Sequence, residues 1–176
     1  MLTGDEFIQR LIRAGIATQE TIVPCSDADI ARIEDAVGLH LPDYYKQFLL
    51  AAGKCAGAFM DDCSFYYPEL LQMTAEAKRM LIAFEGNRLR LPADAFVFMD
   101  RRENFLFFRT SEKLSNSIIA YEEDHRKFDD YDNTFWGYVE GELLETEEFF
   151  AKFLKTGTCD DYLRRAMQRA EQVKHL

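Results

Sequence analysis

A chain of 176 residues with 48% hydrophobic and 14% aromatic side chains carries enough apolar material for one packed domain. A formal net charge of −10 argues against a nucleic-acid partner and for a cationic protein. No apolar run approaches the roughly 18 residues of a membrane span. The opening M-L-T-G-D-E-F has acids where a secretory signal needs bases, so the expected setting is cytoplasmic.

The first predicted element is a helix over Thr3–Gly15. Thr3 and Glu6 have capping-box spacing, and Phe7, Ile8, Leu11 and Ile12 share one side. Ala17–Cys25 reads as a linker broken by Pro24. Ser26 then caps a second helix with Ile30, Ile33 and Val37 as its apolar stripe. Gly38 supplies the left-handed stop. Pro42 opens a third helix, where its missing N–H costs nothing, and Tyr45, Phe48 and Leu49 form the buried face up to Gly53.

This ordered string resembles the signature of the SUKH superfamily, in its Smi/Knr branch. The residues that carry the resemblance are Ile33-Glu34, Gly38, Leu41-Pro42, Tyr44 or Tyr45, Phe48-Leu49 and Gly53. The chain departs from the pattern at Ala52-Gly53-Lys54, where the family often has Asn-Gly-Gly. The resemblance covers roughly Ser26 to Thr156. It implies a non-catalytic binding module. Many bacterial members are immunity proteins that block a toxin, often a nuclease. The branch also includes a yeast regulator of cell-wall assembly that acts as a scaffold.

Further along, Cys63–Tyr67 reads as a short strand ended by Pro68, and Glu69–Phe84 as a helix with Leu70, Met73, Ala77, Met80, Leu81 and Phe84 on its buried face. Phe96–Met99 and Phe105–Arg109 flank the short polar Asp100–Asn104, which predicts an antiparallel hairpin. Apolar residues on both parities predict that both strands are central. Ser117–Tyr121 is a further strand, and Glu122–Asn133 an acidic loop. Phe135–Val139 reads as a strand turned at Glu140-Gly141 into Glu142–Leu144. Thr146 is the expected cap of a helix buried through Phe149, Phe150, Phe153 and Leu154 and ended at Gly157. A last helix carries Tyr162, Leu163, Ala166, Met167, Ala170 and Val173.

The expected fold is therefore α+β, with an antiparallel or mixed central sheet containing a hairpin, helices packed on it and extra helices at both termini. The expected organisation is a single domain over 1–176: a helical extension and linker over 1–25, a family-like core over 26–156 and a C-terminal helix over 157–176.

Motifs for phosphate cradles, dinucleotide binding, nucleophile elbows and zinc proteases are missing from the sequence. Cys25, Cys55, Cys63 and Cys159 show no C-x-x-C spacing and read as reduced thiols. His40, His125 and His175 stand apart from one another. Asp130-Tyr-Asp132-Asn133 fails as an EF-hand, because Phe135 occupies the required Gly position and Gly141 that of the bidentate Glu. No catalytic residue, cofactor or metal ligand is assigned.

One feature asks for a reason. Between Glu122 and Glu148 stand eleven acids against two bases, Arg126 and Lys127. Surface charge of this kind sets association rate and partner choice, and aromatic side chains anchor interfaces. The candidate partner-binding residues are Glu122, Glu123, Asp124, Asp129, Asp130, Asp132, Trp136, Tyr138, Glu140 and Glu142. The expected partner is a protein, a basic toxin domain if the immunity role holds, with no nucleic acid or membrane involved. The alternative is a regulatory or scaffold protein of the same family with no toxin.

Overall fold

The computed structural model describes residues 2–86, 88–111 and 117–176, with the backbone but not the side chain of Asp132. The described chain is α+β. Its helices are α1 (Gly4–Arg13), α2 (Asp27–Val37), α3 (Asp43–Ala52), α4 (Leu70–Glu85), α5 (Phe135–Phe153) and α6 (Asp160–Val173). A ribbon pairs β1 (Ile22–Val23) with β2 (Cys55–Ala56). A second, four-stranded antiparallel sheet has the order β3-β4-β5-β6, with β3 at Ala95–Arg101, β4 at Asn104–Arg109, β5 at Ser117–Glu122 and β6 at Lys127–Thr134.

Backbone contacts divide the chain into two compact units. The first comprises Met1–Ala28, Asp43–Asp61 and Trp136–Leu176. Its α1 starts at the predicted capping box, with the Glu6 N–H donating to Thr3 Oγ1 and the Thr3 N–H to Glu6 Oε2. The Phe7 ring lies 5.9 Å from Phe48 of α3 and 5.2 Å from Phe59. β1 lies in the stretch expected to be a plain linker, and α6 closes over the β1–β2 ribbon through Val23, Cys55, Ala170 and Val173. The four cysteines are free thiols.

The second unit comprises Asp29–Pro42 and Asp62–Phe135. Here α2 ends at Gly38 (φ +70°), with the Gly38 and Leu39 N–H groups both reaching Glu34 O. The Glu34 carboxylate accepts the Leu41 N–H at 2.7 Å just before Pro42. The expected β3–β4 hairpin forms around Arg102 and Glu103, both at positive φ. Phe96, Phe98 and Phe108 stack inside it, and α4 is tied to β3 where the Val97 N–H donates to Thr74 Oγ1.

Several sequence expectations give way. Cys63–Tyr67 is no strand; it contributes a single bridge, Ser64 to Asp100. Only β4 of the predicted central pair is interior to the sheet order. β3 is buried on both faces yet stands at the end of that order, beside Ser64. The acidic loop is instead the β5–β6 hairpin. The two strands predicted at Phe135–Leu144 are the first half of α5, so Thr146 lies inside a helix, its hydroxyl donating to Glu142 O. On α4, Phe84 is exposed and its neighbour Glu85 is buried. Leu154 is exposed, and of the aromatics near it only Phe150 is fully buried.

Candidate protein-binding surface

The β5–β6 hairpin is anchored by apolar rings and carries acids in its turn and along β6. Phe128 puts its ring edge on Phe107 at 5.1 Å and on Tyr121 at 6.2 Å. Side chains alternate along a strand, so the flanking Lys127 and Asp129 face the other way. Lys127 Nζ meets Asp129 Oδ1 at 2.7 Å. In the turn, the His125 and Arg126 N–H groups both donate to Glu122 O, and Arg126 takes a positive φ of 52°.

The structure brings Glu122, Glu123, Asp124, Asp129 and Asp130 together on this hairpin. Asp132 is also in β6, with its side chain outside the described part. Three basic side chains share the turn, and each has a place. Lys127 is on Asp129. His125 Nδ1 lies 3.1 Å from Glu122 Oε2 and 3.7 Å from Asp129 Oδ2. Arg126 Nε points to Glu85 Oε1 at 3.8 Å. Among the described residues, no ion pair reaches Glu123, Asp124 or Asp130. The neighbouring β3–β4 turn adds acid rather than base. The Glu123 N–H donates to Asn104 Oδ1 at 2.9 Å, and the Glu103 side chain, hydrogen-bonded to Glu123, pushes its carboxyl above the ordinary value; the Glu103 charge and Asp124 add to this, and the Arg126 charge opposes it.

The remaining candidates lie on α5, in the other unit. Trp136 is 5% exposed and Tyr138 4%, so both are core residues and not the exposed anchors expected. The Trp136 Nε1–H donates to Tyr44 O at 3.1 Å, and its ring packs edge-on against Phe7 and Phe48. Glu140 lies 3.6 Å from Arg10, which also forms a two-pronged pair with Glu147. Glu142 is half-buried. Beside α1, an open polar cleft is lined by Leu2, Glu6, Gln9, Arg10, Arg13 and Glu140.

Sequence reasoning missed Glu85. Its carboxylate accepts from Tyr121 Oη at 3.3 Å and from Arg88 Nη2 at 3.1 Å. A signal was present. Ala77 and Leu81 are four apart, and the next step of four reaches Glu85, not Phe84. Among the described residues, no three His, Cys, Asp or Glu side chains are grouped to hold a metal ion, and no helix is long and apolar enough to cross a membrane.

A family model described as SMI1 / KNR4 family (SUKH-1) matches residues 24–155. The chain belongs to the SMI1 / KNR4 family. No curated protein and no solved structure matches it. Within the SMI1 / KNR4 region lie the Gly38 stop, the Leu41-Pro42 step, α3 and the whole acidic hairpin. α1 and α6 fall outside it.

Proposed function

We propose that this member of the SMI1 / KNR4 family is a non-catalytic protein-binding module, an immunity protein that blocks a basic toxin domain with its acidic hairpin. The observation that carries the reading is the disposition of charge on β5–β6. The bases of the turn are paired with Glu122, Asp129 and Glu85, and among the described residues no ion pair reaches Glu123, Asp124 or Asp130. A nuclease face is cationic because it holds phosphate. An anionic surface on a rigid scaffold would occupy such a face, speed its encounter and need no chemistry of its own.

The experiment is co-purification, at low and at high ionic strength, with the toxin domain encoded beside this chain. Binding that falls as salt rises supports the reading. A neighbouring cationic toxin that fails to bind at low salt overturns it. The second reading, a regulatory scaffold, draws on the two terminal helices outside the family-matched residues, which would serve as docking surfaces. It predicts partners whose capture persists when the hairpin acids are removed.

A further inference from the structure

The polar cleft beside α1 has a volume of about 370 Å³ and lies wholly within the first unit. Glu6, Gln9, Arg10 and Arg13 follow one another at steps of three and four, so they share one face of α1. Leu2 adds a buried apolar side chain, and Glu140 contributes from α5. The volume suits a small ligand, at the low end of the roughly 300–1,000 Å³ usual for such sites. The lining carries charges of both signs, so the ligand must be polar. Arg10 is the fixed point. Its Nε and Nη2 donate to the two carboxylate oxygens of Glu147, which sets the direction of the guanidinium. Its Nη1 lies 3.6 Å from Glu140 Oε1, too long for a hydrogen bond, and among the described residues it donates none within the chain. Arg13 is exposed and, among the described residues, enters no ion pair.

The cleft therefore sets a cation and an anion side by side, with a second cation one turn away. A bare anion on Arg10 would meet the Glu140 charge as well. A bare cation on Glu140 would meet Arg10. A ligand with both charges on neighbouring atoms satisfies both walls, and the head of an α-amino acid has that form, with ammonium and carboxylate on one carbon. We propose that this cleft binds a free α-amino acid, its carboxylate received by Arg10 Nη1 and Arg13 and its ammonium by Glu140. Glu6 and Gln9 stand next along the same face and favour a polar side chain on the ligand. The site is built on α1, outside the family-matched residues 24–155, and does not depend on the hairpin being a partner surface.

The test uses the full, isotopically labelled chain, followed by NMR at low ionic strength, with the common L-amino acids added one at a time. At least one is expected to shift the Arg10 Nε–H resonance saturably, with a Kd below about 1 mM. The N-acetyl derivative and the amide of that amino acid each lack one charge of the head. Both are expected to bind at least about tenfold more weakly, the usual scale for a lost charge-assisted hydrogen bond. No saturable shift with any amino acid, or derivatives that bind as well as the parent, overturns the proposal. Inorganic phosphate or methylammonium binding as tightly as the best amino acid also overturns it, because the site would then read a single charge.

Variants then locate the site. Arg13→Gln and Glu140→Gln leave the Arg10–Glu147 pair in place, and each is expected to weaken binding at least about tenfold. Glu148→Gln removes an exposed acid of α5 that does not line the cleft, and is expected to leave binding unchanged. Circular dichroism melts keep loss of binding distinct from loss of fold. Unchanged binding in both cleft variants overturns the proposal. Equal weakening by Glu148→Gln does so too, because the effect would then follow net charge and not the cleft.

Discussion

Phe48 shows what a single side chain contributes. Its ring is fully buried and lies about 6 Å from those of Phe7, Tyr45 and Trp136, so its removal empties space that three other rings line. Phe48→Ala is expected to cost about 3–5 kcal/mol in a denaturant melt. A cost under about 1 kcal/mol would mean the neighbours collapse into the space. Two glycines show how the same residue type answers different demands. Gly38 needs only its left-handed φ, since nothing lies within 4 Å of where a Cβ would stand. Gly57 needs its φ of +65° and also the missing atom, because a Cβ would come within 2.4 Å of Ala17 Cβ and 2.5 Å of Ile16 O. Gly38→Ala is therefore expected to cost about 1–2 kcal/mol, the left-handed penalty alone. Gly57→Ala should cost clearly more, and equal melts for the two variants would refute the clash.

At the level of elements, the β3–β4 hairpin is tied off at its open end by charge. Arg109 Nε donates to Asp94 Oδ1, and Ser111 also donates to that carboxylate. Burial works against the Asp94 charge, but these bonds outweigh it and hold the carboxyl below its ordinary value. A depressed acid stabilises the fold above its unfolded pKa and loses that contribution as pH falls through the folded one. Asp94→Asn should thus lower Tm at pH 7, with the gap to wild type shrinking as pH falls below the ordinary carboxylate value of 3.8. A gap independent of pH would show that shape, not charge, matters there. This hairpin was legible from sequence because its signals are local: two apolar runs and a short polar turn. The Thr3–Glu6 cap and the Gly38 stop were legible for the same reason. The front of α5 was not. Phe135, Trp136, Tyr138 and Val139 favour strands, and Gly137 and Gly141 resemble turns. The helical stripe emerges only over the longer window of Phe135, Val139, Leu143 and Phe150, all buried. β6 was missed because Asp is rare in strands. At one end of the sheet order it leaves the Asp129 and Asp130 carboxylates reaching water, where they also discourage edge pairing. For the candidate surface, the acids could be counted in the sequence. Which of them lie in ion pairs could not, because that depends on the folded turn, where Arg126 reaches Glu85 of α4.

Taken whole, the molecule distributes its acidic stretch over two units, the hairpin in one and α5 in the other. The helical acids are partly committed, since Glu140 and Glu147 lie on Arg10. A partner attracted by net charge alone would not distinguish the two groups. A partner that docks on the hairpin would. Asp129→Lys with Asp130→Lys changes the net charge of −10 by the same amount as Glu145→Lys with Glu148→Lys, where both helical acids are exposed. Long-range steering therefore weakens alike in the two variants, while short-range pairing is lost only where the partner sits. The hairpin variant is expected to weaken capture of the basic toxin domain at least about tenfold more than the helix variant at physiological salt, where the Debye length is about 8 Å. Circular dichroism melts should stay close to wild type for both, because Asp130, Glu145 and Glu148 are exposed and Asp129 is partly so, its contacts being surface ion pairs. Equal loss in the two variants would assign the acidity to steering and solubility. Greater loss in the helix variant would move the interface to α5.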